Sequence, residues 1–239
     1  MCPLRAGGLT DEDAVALWHA LGATGSRARL RPVFRTCAHH PLLIQILAAV
    51  VAHFHPDPGS FDAWRTANPT FDLFGLDLVQ VRSHVLAWAL HGLPAAERRT
   101  LHVLAACHMP ARVEMLQGVL LRTAEADDPV QKPFATPGAF DAGLTDLHDR
   151  GLVGRDRETR TYDLLHPVVR GVVWRGLPEA VKQSIYEAIR VYCAAVPPVA
   201  EAAITTLEDL EPAVELFHAF IGLGRYDDAY HLFRYRLRR

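Results

Sequence analysis

The chain has 239 residues, half of them hydrophobic, and a formal net charge of −2. That length allows one to three compact units with a sizeable core. The near-neutral balance does not supply the basic surface that non-specific nucleic-acid binding needs.

Four cysteines, Cys2, Cys37, Cys107 and Cys193, form no C-x-x-C pair, which fits a reducing cytosol, and the three within predicted helices suit small packing residues. MCPLRAGG lacks the apolar core of a signal peptide. The longest apolar run, Leu42 to Ala52, is too short to span a bilayer. A cytoplasmic protein without a membrane partner is expected.

Met1 to Gly8 read as an extended entry. Thr10, with Asp13 three residues on, sets up an N-cap. Val15, Leu17, Trp18 and Leu21 give the following helix its apolar face, and Gly22 and Gly25 stop it. A second helix is predicted from Ser26 to Ala38, with Pro32 in its first turn or delaying its start. His39-His40-Pro41 breaks the chain, and Pro41 suits the first position of the next helix. That helix, Leu42 to Phe54, is apolar nearly all round and should be buried. Phe61 to Ala67 is a short helix anchored by Trp64. Helices follow over Leu78 to Leu90, Ala95 to Cys107 and about Arg112 to Leu121. The polar, proline-containing stretch Ala124 to Pro137 reads as a loop.

From Gly138 to Gly176 the pattern is helix, strand, turn, strand, helix. The helix Ala139 to Arg150 turns Phe140, Leu144 and Leu147 inward, and Gly151 ends it in the left-handed conformation. Leu152 to Arg155 and Thr161 to Leu164 are short strands around the turn Asp156 to Arg160. A hairpin after three helices is the wing of a winged helix, and its second helix opens on His166-Pro167. Pro178 to Ala195 is a further helix, broken by Pro197-Pro198. Leu207 to Leu223 and Tyr226 to Leu237 then form a helical hairpin of tetratricopeptide type. One such hairpin cannot bury its own face.

The sequence contains no G-x-x-x-x-G-K-[ST], G-x-S-x-G or H-E-x-x-H. Its scattered histidines lack partners at metal-ligand spacing, so neither a metal site nor catalysis by this chain is expected. What it does have is an order of motifs. LTDEDAVAL comes first, HPLLIQIL second, a winged helix with RGLV and YDLLHPVVR third, and tetratricopeptide-like helices last. That order resembles the C-terminal half of the STAND class of NTPases, which includes the NB-ARC proteins, over roughly Leu9 to Leu237.

The resemblance implies a mainly α fold in three parts: a helical lid over 1–75, a winged-helix domain with a small β-hairpin over 76–177, and a linker with the first repeat hairpin over 178–239. It implies two nucleotide-binding positions. Pro41 matches the proline of the family's G-x-P motif, which packs on adenine; His39 stands where that motif has glycine. His166 matches the winged-helix histidine that contacts the β-phosphate of ADP; here Leu165-His166-Pro167 replaces Met-His-Asp. A helix N-terminus favours an anion, and imidazole adds a directed donor. The residues alone also allow a proline that merely opens a buried helix, and a histidine that caps its own helix.

The implied role is regulatory and non-catalytic. ADP is clamped between lid and winged helix once an N-terminal P-loop NTPase domain is joined in cis or trans, ATP exchange releases the clamp, and the repeats relay a signal from protein partners. Two other readings stay open. A DNA-binding winged helix would use Arg155, Arg157 and Arg160 of the wing, against Asp141, Asp146 and Asp149 on the preceding helix. A stand-alone adaptor would bind protein through the C-terminal hairpin.

Overall fold

The computed structural model describes residues 8–73, 75–121, 132–200 and 203–237. Most of the expected entry Met1 to Gly8, most of the loop Ala124 to Pro137, and Cys2, Arg238 and Arg239 lie outside them. The architecture is mainly helical with one small antiparallel sheet, as expected from the sequence. No helix among the described residues is long and apolar enough to cross a membrane. The chain divides into two compact units, Met1–Leu93 with Asp149–Leu152, and Pro94–His148 with Val153–Arg239.

The first unit holds α1 (Asp11–Ala20), α2 (Arg27–Thr36), α3 (Pro41–Ala52), α4 (Phe61–Ala67) and α5 (Leu78–His91). The α1 cap is reciprocal: the Asp13 N–H donates to Thr10 Oγ1 at 3.1 Å, and the Thr10 hydroxyl donates to Asp13 Oδ2 at 2.7 Å. Pro32 lies in the interior of α2, not in its first turn. It is tolerated because the Ala28 carbonyl, which loses its donor, belongs to an exposed residue that water can reach. Helix α3 is buried on nearly every side, from Leu42 to Val51.

Aromatic rings tie α1, α2 and α4 together, with Trp18 5.6 Å from Phe34 and 5.7 Å from Phe61. Trp64 continues the chain of contacts to Phe71 and Trp88 at 4.8 and 6.1 Å. Such edge-on pairs add to area burial. They explain why α5, read from the sequence as part of the following domain, packs with α3 in the first unit.

The second unit opens with α6 (Ala95–Ala106), β1 (Ala111–Arg112), α7 (Val113–Leu120), α8 (Pro137–Asp149), β2 (Val153–Asp156), β3 (Thr161–Leu164) and α9 (Pro167–Arg175). Strands β2 and β3 form the expected hairpin, with Arg155 opposite Tyr162. Strand β1 was not expected; it pairs on the other edge of β3, placing Ala111 opposite Tyr162. Two residues are too few to show a strand's alternation of period two. In the hairpin turn, Asp156 Oδ1 accepts from the N–H groups of Glu158 and Thr159 at 2.8 and 3.3 Å. These bonds hold the Asp156 carboxyl below its usual range. Leu101, Leu104, Leu116, Phe140, Leu147 and Val169 are fully buried beneath this winged-helix-like arrangement.

The unit closes with α10 (Glu179–Ala195), a 3₁₀ turn (Leu207–Leu210), α11 (Glu211–Gly222), α12 (Tyr226–Leu232) and a π-helical turn (Phe233–Leu237). The single helix expected over Leu207 to Leu223 is therefore two elements. Pro212 has no N–H to extend an α ladder from the preceding turn, and it suits the start of α11. Helix α10 packs along α11, and α11 along α12. Gly224 takes a φ of +71° between α11 and α12, which a glycine adopts without steric cost.

His102 lies on α6, and burial, with Arg99 and Arg98 nearby, lowers its pKa to about 4. The unfolded chain takes up this proton near the ordinary value of 6.5, whereas the folded chain does so only near 4. The stability tied to neutral His102 is thus complete above 6.5 and is lost as pH falls through that window. Partial solvent access reduces the effect to roughly 1–2 kcal/mol. Denaturant titrations of wild type and His102→Gln between pH 7.5 and 4.5 should show a smaller acid-side loss in the variant.

Candidate functional site

The residues before α3 take a conformation that favours glycine. Ala38 and His39 have φ of +50° and +52°. His40 is extended, and Pro41 is the exposed first residue of α3. His39 thus occupies, in left-handed form, the position at which the resembling motif has glycine.

Neighbouring groups hold the conformation in place. The His39 N–H donates to the Phe34 carbonyl at 2.8 Å, and its own carbonyl accepts from the Leu9 N–H at 2.9 Å. Nε2 of His39 lies 2.6 Å from Asp11 Oδ1, and Arg31 and Arg35 each approach Asp11 Oδ2 at 3.7 Å. The His39 bond and the nearby positive charges lower the Asp11 carboxyl pKa. Gly8 lies so close that a Cβ there would meet the Ala38 carbonyl oxygen at 2.3 Å. Two non-glycine residues in this region carry strain that only surrounding bonds can hold.

His166 caps α9. The Val168 N–H donates to its Nδ1 at 3.1 Å. With Nδ1 accepting, the proton of a neutral ring resides on Nε2. The helix-capping alternative is therefore realised at Nδ1. Pro41 belongs to the first unit and His166 to the second.

One turn beyond His166, Arg170 has a role that its place in the sequence did not reveal. Its Nη1 donates to the carbonyls of Leu104 and Ala105 at 2.9 and 3.1 Å, and also to that of Cys107. Its Nη2 donates to Asp163 Oδ1 on β3 at 2.6 Å. A single guanidinium thus closes the C-terminus of α6, where unsatisfied carbonyls and the helix dipole favour a cation.

The amides that follow are received from the opposite side. His108 and Met109 donate N–H to Glu215 Oε1 at 2.8 and 2.7 Å. The Arg112 N–H donates to Glu211 Oε1 at 3.1 Å, while its Nε pairs with Glu211 Oε2 at 2.9 Å. Glu211 and Glu215 are only 3% and 1% exposed, so these bonds are made out of water. Burial raises the Glu211 carboxyl pKa despite the Arg112 contacts. Burial also pushes the Cys107 thiol well above its ordinary value, so it is inert packing. A glutamate pair four residues apart among the apolar positions of α11 was the available sequence signal.

On the wing, Arg160 pairs with Glu114 at 3.1 Å and the Arg155 guanidinium lies 5.8 Å from the centre of the Tyr162 ring. No group of three or more histidine, cysteine or acidic residues suited to a metal ion occurs among the described residues.

No protein-family model and no curated relative matches the sequence. The fold is similar to part of a crystal structure of a Signal Transduction ATPase with Numerous Domains (STAND) protein with a tetratricopeptide repeat sensor from Pyrococcus horikoshii. The TM-score is 0.57 and the identity 15%, over 96% of this chain and 27% of that one. This chain therefore spans about a quarter of the other's length, and at this identity the likeness is one of fold.

Two substitutions test these local structures. Ala38→Gly relieves a left-handed alanine whose side chain is exposed, and should stabilise the chain by roughly 0.5–1 kcal/mol in chemical denaturation. Arg170→Met removes the donors to the end of α6 and leaves Asp163 with the Leu164 N–H but no cation. A loss of roughly 2–4 kcal/mol is expected, read as a lower denaturant midpoint.

Proposed function

We propose that this chain forms part of the regulatory portion of a signal-transduction ATPase. The observation that carries this reading is the fold likeness, over nearly the whole chain, to a segment of a STAND protein with a tetratricopeptide repeat sensor. The first unit then acts as the helical lid and the second as a winged helix followed by the first repeat. A P-loop domain, in cis or in trans, supplies the phosphate loop and magnesium ligands whose motifs this sequence lacks.

In this reading ADP holds the switch closed. The exposed ring of Pro41 packs on adenine. His166, whose Nδ1 is committed to its own helix, turns Nε2–H toward the β-phosphate at the start of α9. The chain itself hydrolyses nothing. ATP exchange, by changing which state makes the better phosphate contacts, shifts the equilibrium toward the open form.

The second unit offers a continuous route for a signal from the repeats. Glu215 of α11 grips the turn after α6, Arg170 of α9 grips the same turn, and His166 precedes α9. Tyr226, Tyr230 and Phe233, 66%, 57% and 44% exposed, offer the repeat hairpin a surface for a protein partner.

The test is ADP retention in a polypeptide that joins this chain to a P-loop domain. A charge-assisted contact is worth about 1.5–3 kcal/mol, so His166→Ala should speed ADP release by about 10–100-fold. Unchanged release would remove His166 from the phosphate site, and ATP turnover by this chain alone would remove the regulatory reading.

A further inference from the structure

The rings of His108 and His218 stack face to face, with centroids 3.5 Å apart and planes 8° from parallel. They join two segments far apart in the sequence. His108 belongs to the turn that follows α6, and His218 to the middle of α11. Beneath them lies Glu215, whose side chain is 2% exposed. Glu215 accepts the backbone N–H groups of His108 and Met109, and its Oε2 lies 3.9 Å from His108 Nδ1. The Phe217 ring meets the His218 ring edge-on at 5.3 Å.

We propose that His108, His218 and Glu215 form a proton-sensitive latch that docks α11 on the turn after α6, closed while the stack carries at most one proton and opening when both histidines are protonated. This device is separate from the nucleotide contacts of the preceding reading and does not depend on them.

The charge balance follows from the geometry. A first proton taken up by the stack would lie beside the buried Glu215 carboxylate, which offsets its charge. A second proton places two like charges face to face at stacking distance, with one carboxylate between the segments. Separation of the rings, with α11 moving off the turn, lets water solvate both cations.

The surrounding groups do not supply a second counter-charge. Glu211, on the same helix, is engaged by Arg112 of β1. Arg170 of α9 brings a further positive charge to the Cys107 carbonyl and is paired with Asp163. On α10, Tyr186 and Cys193 are pushed up by burial and stay neutral below pH 8. At the start of α12, Arg225 and Asp228 satisfy each other at 2.7 Å. Desolvation and the neighbouring His108 lower the His218 pKa, and Glu215 only partly offsets them. The sign is therefore fixed: docking is favoured above the ordinary histidine range and weakens as pH falls through the lowered value.

The experiment is a titration of the whole chain from pH 8 to 5. The histidine ring resonances are followed by NMR, together with the exchange protection of the His108 and Met109 amides corrected for intrinsic rates. In wild type, His108 and His218 should titrate in two steps at least about one pH unit apart, because the first proton opposes the second. Amide protection should fall about tenfold, the equivalent of one pKa unit.

His218→Phe keeps a flat ring against His108 and removes one titrating group. Its protection should fall by less than about twofold, a few tenths of a pKa unit. His102 weakens both proteins alike on the acid side, so the difference between them reports the stack. Independent single-step titration of both histidines near the ordinary value would overturn the proposal. So would full loss of protection persisting in His218→Phe. If that variant does not fold, the wild-type ring titration decides alone.

Discussion

The second unit depends on how the end of α6 is satisfied. A helix that stops inside a protein leaves carbonyls facing one way, and the turn that follows leaves amides facing another. Here the carbonyls of Leu104, Ala105 and Cys107 converge on Arg170, while the amides of His108 and Met109 converge on Glu215. Each group is charged opposite to the dipoles it receives, and each comes from a different helix. The same few atoms therefore orient α9 and α11 about α6. Asp163 adds β3 to the set through Arg170. The loss of a partner costs most at Glu215, whose side chain is buried from the water that still reaches Arg170 and Asp163.

The first unit is built on a different principle. Its elements are joined by overlapping aromatic rings, from Phe34 and Trp18 through Phe61 and Trp64 to Phe71 and Trp88. Against that apolar frame it holds one polar irregularity, the left-handed pair Ala38 and His39 at the entrance to α3. Strain of this kind is kept where the surrounding bonds over-determine the backbone. Asp11 and the close approach of Gly8 do so here. The result is a sharp entry that presents Pro41 at the surface.

These two constructions set the positions of Pro41 and His166, each within its own unit. Pro41 is set by a strained turn and His166 by the cap of a helix that Arg170 anchors. Within the second unit, Glu215 of α11 and Arg170 of α9 both bind the turn after α6, which connects α11 to the helix that His166 caps. The histidine stack lies at the same place, where α11 meets the turn after α6.

Much of this was legible in the chain itself. Helix periods, the Thr10 cap, Gly151 after α8 and the hairpin at Asp156 to Arg160 are local signals, each made by residues within a few positions of one another. The mainly α class and the small wing followed from them. Strand β1 is too short to carry a pattern, and the place of α5 is decided by Trp88 meeting rings from α4 and from the stretch after it. The interior position of Pro32 is tolerated only because the carbonyl it deprives is exposed. The left-handed His39 and the roles of Arg170, Glu211 and Glu215 were likewise hidden. An ion pair or a strained backbone angle is specified by what folds against it, from as far as 107 residues away in the case of His108 and Glu215. Local order is written in neighbouring residues; the closure of buried charges and dipoles exists only once distant segments share one dry space.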